Sequence, residues 1–540
     1  MAERLRATLA NGLWVVSLLR DARAFRRALD VPHQAQSALL RALVARGATS
    51  AFGRTHTLGR VRRLEDLRDA LPLTHYESYA PYVARIADGE RNVLGDDAVV
   101  ALEPTSGTSG GAKLIPTTRA LRAAFGRGIA PWLVDLVHGD PVLLSGPAYW
   151  SLSPALQRER RSAGGVAIGF DDDTAYLGRL GAVLARAVMA VPGTVRHLHD
   201  ARTFRYVTLL HLLARRHLRL VSVWNPSFLA LLLDALAPEG AALVADLRDG
   251  RCRTPDGAER PDLAAPADAS RAREVECALA ADADGVVARL WPGLRLVSCW
   301  SDANAAPAAA ALAPRVAPAR LQGKGLLATE AFVTLPLRSL PAPVLALRSH
   351  VFEFLASDGA TRFAHELDEG AAYEVVVTTG VVYRYRLGDL VRVEGHAGRT
   401  PLLRFLGRVD AVCDIVGEKL HEEHVREALS ASCRVLDLQP SFTLVASDAG
   451  ALPPRYTLYL EGVAEEALPR LAAALDERLR ANPHYAYARA LGQLAALEAV
   501  AVAGAAERFE AAHVARGQRR GDVKPALLCS RRDWARWLRS

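Results

Sequence analysis

Between Pro104 and Pro116 the chain reads Thr105-Ser106-Gly107-Thr108-Ser109-Gly110-Gly111-Ala112-Lys113-Leu114-Ile115. Glycines let successive backbone N–H groups converge on one point, and such a nest binds anions. Ser and Thr add hydroxyl donors, and Lys113 adds a compact charge for a terminal phosphate. The spacing is not that of a Walker A loop, which needs G-x-x-x-x-G-K-[ST]. A plain Gly/Ser loop between a strand and a helix is the competing reading of the same residues.

Lysine usage singles out three further positions. The chain holds four lysines, Lys113, Lys324, Lys419 and Lys524, among 67 basic residues. All four lie in Gly-flanked or motif-like stretches. In a chain that otherwise uses arginine, they mark places where a compact ammonium works and a planar guanidinium does not. Two acids also stand in motif-like surroundings: Glu330 in Leu327-Ala328-Thr329-Glu330, and Asp389 in Tyr383-Arg384-Tyr385-Arg386-Leu387-Gly388-Asp389.

The Thr-Ser-Gly-Thr-Ser core followed by Lys-Leu-Ile-Pro resembles the phosphate loop of adenylate-forming enzymes, and most closely that of the Gretchen Hagen 3 family of auxin-responsive acyl-acid amido synthetases. The other motifs follow in the family's order over nearly the whole chain. The resemblance implies that Ser106, Gly107, Thr108, Ser109 and Lys113 hold the ATP phosphates. It implies that Thr329 meets the α-phosphate, that Glu330 ligates Mg²⁺, and that Asp389 accepts from the ribose hydroxyls. Mg²⁺ suits a single protein carboxylate that shares it with phosphate oxygens.

Phe405, Arg408 and Asp410 resemble the family's hinge segment, with Phe405 beside the adenine and Arg408 on ribose or phosphate. Glu418-Lys419-Leu420 resembles the stretch just past the hinge, which would bring Lys419 near the nucleotide. Lys524, in Gly521-Asp522-Val523-Lys524-Pro525, resembles the lysine that a mobile small domain carries into the site. Tyr149-Trp150-Ser151 and Trp224-Asn225-Pro226 match large-domain stretches that could line an acyl pocket, although aromatic core packing is the commoner role. Asn482-Pro483-His484-Tyr485 and Leu491-Gly492-Gln493-Leu494 match the small domain. One departure concerns adenine: Leu326 stands four before Glu330, where plant members often have Tyr.

The elements that must position these residues are read from pattern. Residues 1–70 are helical, with Ala35, Ala38, Leu39, Ala42 and Leu43 on one face. Ala98-Val99-Val100-Ala101-Leu102 is a strand leading into the Gly-rich loop, and Thr117-Thr118 caps a helix from Arg119. Val142-Leu143-Leu144, Val221–Trp224 and Leu294–Trp300 read as strands, and Asn225-Pro226-Ser227 starts a helix. Residues 250–285 read as a surface excursion. Tyr373–Thr378 and Val381–Tyr385 read as a hairpin about Thr379-Gly380, Pro401–Phe405 as a strand and Gly407-Arg408-Val409-Asp410 as a turn. Beyond it come a helix from Glu422, strands Ser441–Leu444 and Tyr456–Leu460, and a helix from Glu465. The expectation is an α/β protein with the adenylate-forming fold. A large N-terminal α/β domain with mixed sheets spans residues 1–407, and a smaller C-terminal α/β domain on a hinge spans 408–540.

Composition narrows the function classes. Of 540 residues, 50% are hydrophobic and 23% charged, and the net charge is +8. The basic excess is spread as single arginines, with no dense block and interleaved aromatics, which argues against nucleic acid. A mild positive field favours anionic ligands. Six scattered cysteines form no C-x-x-C pair and fit a reducing cytoplasm. The apolar run Leu13–Leu19 is too short to span a bilayer. The arginine-rich composition points to a GC-rich genome and a bacterial member. Other metal readings are weak. His421 and His424 are spaced i, i+3 rather than the i, i+4 of a zincin, Asp171-Asp172-Asp173 reads as a capping turn, and His197 and His199 lack a third ligand.

The sequence thus predicts a monomeric cytoplasmic enzyme with ATP and Mg²⁺ that adenylates a small carboxylic acid and passes the acyl group to an amine, an amino acid by resemblance. Two alternatives stand beside it: an adenylate-forming thioester ligase, and a nucleotide-binding protein without turnover.

Overall fold

The computed structural model describes residues 2–539 except 106–112, 152–159, 170–177, 199, 282–283, 410–411, 414, 417, 419, 449–450, 452, 491, 517, 519–522, 524–525 and 532. It divides into two compact units. The first comprises Met1–Val223, Leu232–Cys299 and Arg315–Phe405; the second comprises Trp224–Leu231, Trp300–Pro314 and Leu406–Ser540.

In the first unit a long helix, α1 (Ala2–Ala28), packs against α2 (Arg119–Gly139). The expected cap is present: the Thr118 hydroxyl accepts the Leu121 N–H at 3.1 Å and starts α2. Ahead of α2, strands β1 (Val99–Thr105) and β2 (Lys113–Thr118) pair antiparallel. The Gly-rich loop therefore joins two strands, and the helix comes one strand later than the competing reading had it.

Four parallel strands form the next sheet: β3 (Ala148–Trp150), β4 (Leu220–Ser222), β5 (Leu296–Cys299) and β6 (Arg320–Gly323), in that order. Val142-Leu143-Leu144, expected as a strand, lies instead in a 3₁₀ turn, Pro141–Ser145. Pro141 fixes φ at its first position, and the Asp140 carboxylate accepts the Val142 N–H at 3.2 Å. The 250–285 excursion also holds more order than its composition suggests. Asp268 caps a helix, Ala269–Ala280, that packs on the preceding one.

The third sheet has seven strands. Its centre is β7 (Val351–Leu355), β8 (Ala372–Thr378), β9 (Tyr385–Ala397) and β10 (Thr400–Arg408). Val375, Val376 and Val377 are all fully buried, so β8 is covered on both faces. That explains its unbroken apolar run, each side chain giving about 1.5–3 kcal/mol of burial.

The second unit carries α3 (Glu422–Val435) and a sheet of β11 (Phe442–Asp448), β12 (Arg455–Glu461), β13 (Glu498–Ala501) and β14 (Leu528–Cys529), ordered β13-β12-β11-β14. The helix from Glu422 and both predicted strands are present. The helix expected from Glu465 begins as a 3₁₀ turn and becomes α4 at Leu468–Leu479.

Candidate functional site

Thr105 and Lys113 face each other across the β1–β2 ladder. They close the base of the loop that holds Ser106, Gly107, Thr108 and Ser109, which lie outside the described residues. The base is fixed by Tyr76, whose hydroxyl accepts the Leu114 N–H at 2.9 Å. Lys113 Nζ lies 5.4 Å above the Tyr76 ring and 4.0 Å from Glu77, whose side chain is 72% exposed. A carboxylate so well solvated holds an ammonium weakly, so Lys113 is available to a stronger anion.

At the end of β6 the chain runs Gly323-Lys324-Gly325 and leaves the sheet. Gly325 has φ +81°, and a Cβ there would meet the Thr334 carbonyl at 2.8 Å. The turn thus admits only glycine without strain. Next comes a tight turn in which Ala328 and Ala331 exchange backbone hydrogen bonds. Thr329 and Glu330 occupy its tip, half-exposed. Leu326, four residues before Glu330, is buried in the main core.

The Tyr383–Asp389 stretch differs from the expected hairpin. β9 begins at Tyr385, not Val381, and residues 379–384 form the connection. Arg384 has φ +50° and turns inward. Its guanidinium grips Glu353 in two hydrogen bonds of 2.9 Å each and donates to the Leu71 carbonyl at 2.5 Å. Past it, Val376 faces Arg386 but Glu374 faces Leu390, so Leu387, Gly388 and Asp389 bulge out opposite one residue of β8. Gly388 supplies φ +74° at the bulge. Asp389 follows it, buried to 1% exposure. A bulge re-aims a side chain, and here it delivers a carboxylate that a regular strand would have turned elsewhere.

Phe405 lies in β10, packed at the edge of the main core. Arg408 is the last residue of the same strand rather than part of a turn. Asp410 lies outside the described residues. Leu406–Gly407 is fastened within the second unit: Arg426 of α3 donates to the Leu406 carbonyl and to Glu422, each at 2.6 Å. Gly407 has φ +149°, and a Cβ there would lie 3.1 Å from the Arg426 guanidinium.

Lys419 and Lys524 lie outside the described residues, but the neighbours of each are in place. Glu418 is fully buried. It accepts the Ile415 and Val416 N–H groups at 2.8 Å each and the Tyr456 hydroxyl. Burial and the Glu418 charge push the Tyr456 phenol far up, so it remains a donor. Val523, one before Lys524, is buried. Its carbonyl accepts from Asn225 Nδ2 at 3.4 Å, and Asn225 Oδ1 accepts the Ser227 N–H at 3.0 Å.

Other sequence candidates resolve simply. His424 points a ring nitrogen at the Leu479 carbonyl, 3.3 Å away. Asp171, Asp172, Asp173 and His199 lie outside the described residues. Among the described residues no three His, Cys, Asp or Glu side chains converge. Sequence reasoning missed one cluster. Lys324 Nζ donates to Ser222 Oγ at 2.5 Å and lies 5.7 Å above the Trp132 ring, and Trp132 Nε1 donates to Gln322 at 2.9 Å. The scarcity of lysine pointed to Lys324; nothing local pointed to its partners.

Comparison with known proteins agrees with this layout. Three family models cover the chain: the GH3 family N-terminal domain at 21–315, the central domain at 343–408 and the C-terminal domain at 423–533. The Oryza sativa subsp. japonica protein named "Probable indole-3-acetic acid-amido synthetase GH3.7" is 27% identical over 497 residues, covering 79% of this chain and 77% of that protein. The Arabidopsis thaliana indole-3-acetic acid-amido synthetase GH3.15 is 27% identical over 474 residues, with the same coverage. The solved structure of AtGH3.15 acyl acid amido synthetase in complex with 2,4-DB superposes with a TM-score of 0.84, at 20% identity, over 96% of this chain and 95% of that one. With the Gly-rich loop inside the first matched domain, the bulged Gly388-Asp389 inside the second, most of the C-terminal unit inside the third and the Thr329-Glu330 turn between the first two, the chain belongs to the GH3 family, with the adenylate-forming fold.

Proposed function

We propose that this chain is an ATP-dependent acyl-acid amido synthetase: it activates a carboxylic acid by adenylation and transfers the acyl group to an amine, that of an amino acid. The observation that carries the reading is the match of all three family domains, above all the C-terminal one. The first half-reaction is common to thioester ligases, whereas this C-terminal unit resembles amido synthetases.

A carboxylate is a poor acyl donor because oxide would have to leave. One carboxylate oxygen attacks the α-phosphorus of ATP, the bond to the β-phosphate oxygen breaks, and pyrophosphate departs. The amine nitrogen then attacks the acyl carbon, the carbon–oxygen bond to AMP breaks, and nitrogen loses its extra proton to solvent. Lys113 and the loop N–H groups neutralise the departing phosphates. Thr329 donates to the α-phosphate, and Asp389 accepts from the ribose hydroxyls. Phe405 flanks the adenine, and Arg408 reaches ribose or phosphate. The half-exposed Glu330 carboxylate at a turn tip suits Mg²⁺, which would offset phosphate charge. Lys524 and Lys419 come from the C-terminal unit and stabilise charge as the α-phosphorus is attacked. We take residues 1–407 as the adenylating domain and 408–540 as a small domain that turns about the 408–410 hinge between half-reactions. Positioning and charge stabilisation do most of the work, and no enzyme residue becomes covalently attached. The enzyme acts as a cytoplasmic monomer.

The test is pyrophosphate release with ATP, Mg²⁺ and a panel of carboxylic acids, with an amino-acid mixture, with coenzyme A, or with neither. Acid-dependent release, AMP formation with the amino acids and an amide mass in the product are expected. AMP formation with the thiol alone would replace the reading with a thioester ligase. Absence of release from every acid would leave a nucleotide-binding protein.

A further inference from the structure

Ligands of open parallel sheets bind beyond the carboxyl ends of the strands. At that end of the β3-β4-β5-β6 sheet the register sets Trp150, Ser222, Ser298 and Gln322 in one row, each opposite the next. Residues in register across parallel strands share a face. Lys324, two residues past Gln322, folds back over this face to reach Ser222. The aromatic side chains close on the same place: Trp132 of α2 donates to Gln322, and its ring meets Trp150 edge-on with centroids 5.9 Å apart.

Ser298 sits in the middle of the row and is fully buried. Its hydroxyl has no hydrogen-bond partner among the described residues. A buried hydroxyl left unsatisfied is costly, and this one is flanked in register by Ser222 and Gln322. Gln322, Lys324 and Trp150 are half-exposed, so the row is approached from their side. Half-exposed Trp150, backed by buried Trp132, offers an apolar face to a flat body, while an ammonium, a hydroxyl and an amide offer donors to one oxygen-bearing end. Lysine here is one of four in a chain of arginines. A compact ammonium seats a single carboxylate oxygen without the fork geometry of arginine.

We propose that this row is the selective end of the acyl-acid site, and that it selects flat carboxylic acids bearing a second carboxylate away from the reacting one. The inference rests on the amido-synthetase reading and adds the substrate class. Lys324 pairs with the second carboxylate, Ser298 donates to it, and Trp150, backed by Trp132, holds the ring.

The experiment compares kcat/KM for pyrophosphate release with terephthalate and with 4-methylbenzoate, which differ only in a carboxylate for a methyl. The wild type should prefer terephthalate by about tenfold or more, mainly through KM, as a charge-assisted contact implies. Lys324→Met should reverse the preference, Lys324→Arg should retain part of it, and Ser298→Ala should reduce it by a smaller factor. A ratio unmoved by Lys324→Met overturns the inference. If that variant does not fold, an unmoved ratio in both Lys324→Arg and Ser298→Ala overturns it equally. A wild type that releases pyrophosphate only with monocarboxylates also overturns it while leaving the amido-synthetase reading intact. Release with no acid at all fails the broader reading, and this one with it.

Discussion

In the first unit, buried Glu353 accepts two nitrogens of Arg384 and the Thr361 hydroxyl. In the second, buried Glu418 accepts two loop N–H groups and the Tyr456 hydroxyl. Each centre draws a residue, Arg384 or Glu418, from a stretch that reads as a catalytic motif. In each, a charged member of the motif is consumed by the fold, while a neighbour, Asp389 or Lys419, is the one assigned to chemistry. They differ in what offsets the charge. Glu353 faces a full opposite charge from a connecting segment 31 residues further on, with Arg68 3.8 Å away; Glu418 is stabilised by neutral dipoles, most of them local. A motif residue can therefore be indispensable without touching substrate, and removing it should fail differently in the two units.

Arg384→Met should give the largest effect. It leaves Glu353, at 1% side-chain exposure, with the Thr361 hydroxyl and the more distant Arg68 Nε at 3.8 Å, and breaking a buried pair on one side costs about 3–5 kcal/mol. Thermal unfolding should show a steep loss or no folded protein, and retention of wild-type stability would remove the distinction. Glu418→Gln keeps the shape but weakens three hydrogen bonds, with an expected cost of about 1–3 kcal/mol. Hydrogen exchange should rise around residues 415–416 and 456 while the Arg384 region stays protected. Gly388→Ala places a side chain at φ +74°, which costs about 1–2 kcal/mol, and it should raise the KM for ATP more than that for the acid.

Acid should soften both units, through different groups. In the first, burial with a smaller push from Arg127 lowers His350 from 6.5 to about 3. The unfolded chain takes this proton below pH 6.5 and the fold does not. Stability is therefore full above pH 6.5 and is lost as pH falls towards 3, by up to about 1.4 kcal/mol per pH unit. In the second, burial lowers His513 in the same way to about 4. Asp476, which burial would raise, is held below 3.8 by Arg489 and Tyr485, so its contribution survives until pH drops under 3.8. His350→Met should flatten part of the melting-temperature profile between pH 6.5 and 4, and an unchanged slope would contradict the assignment. The smallest effect is expected at the exposed Lys113–Glu77 pair. Glu77→Gln should change stability by less than about 0.5 kcal/mol and spare pyrophosphate release, whereas Lys113→Met should abolish release at the same stability.

Local chemistry was largely legible where it depends on neighbours in sequence. Thr118 as a cap, the apolar β8 run, the Gly388-Asp389 pair and the helix from Glu422 all follow from residues within a few positions. The misread elements are mostly those that distant groups decide, with one local exception in Val142-Leu143-Leu144. Val381–Tyr385 has strand composition, yet the chain turns at Arg384 because Glu353 and the Leu71 carbonyl wait for its guanidinium. Val142-Leu143-Leu144 is apolar enough for a strand, but Pro141 and Asp140 wind it into a 3₁₀ turn. Leu326 marked a departure at the adenine position, and only the fold shows that its side chain is spent on the core. The row of Ser222, Ser298 and Gln322 has no sequence signal, because parallel register joins residues 24 to 76 positions apart.

That same register sets a schedule for synthesis. The parallel sheet draws its strands from Ala148–Trp150 to Arg320–Gly323. A ribosome adding about 5–20 residues per second needs on the order of 10–35 s to deliver the last strand after the first. During that interval Trp150, Val221 and Val297 have no completed sheet to enter. The nascent chain must keep these apolar strands from pairing elsewhere until Gly323 emerges, so the rate of elongation across residues 224–323 bears on how much active enzyme a cell obtains.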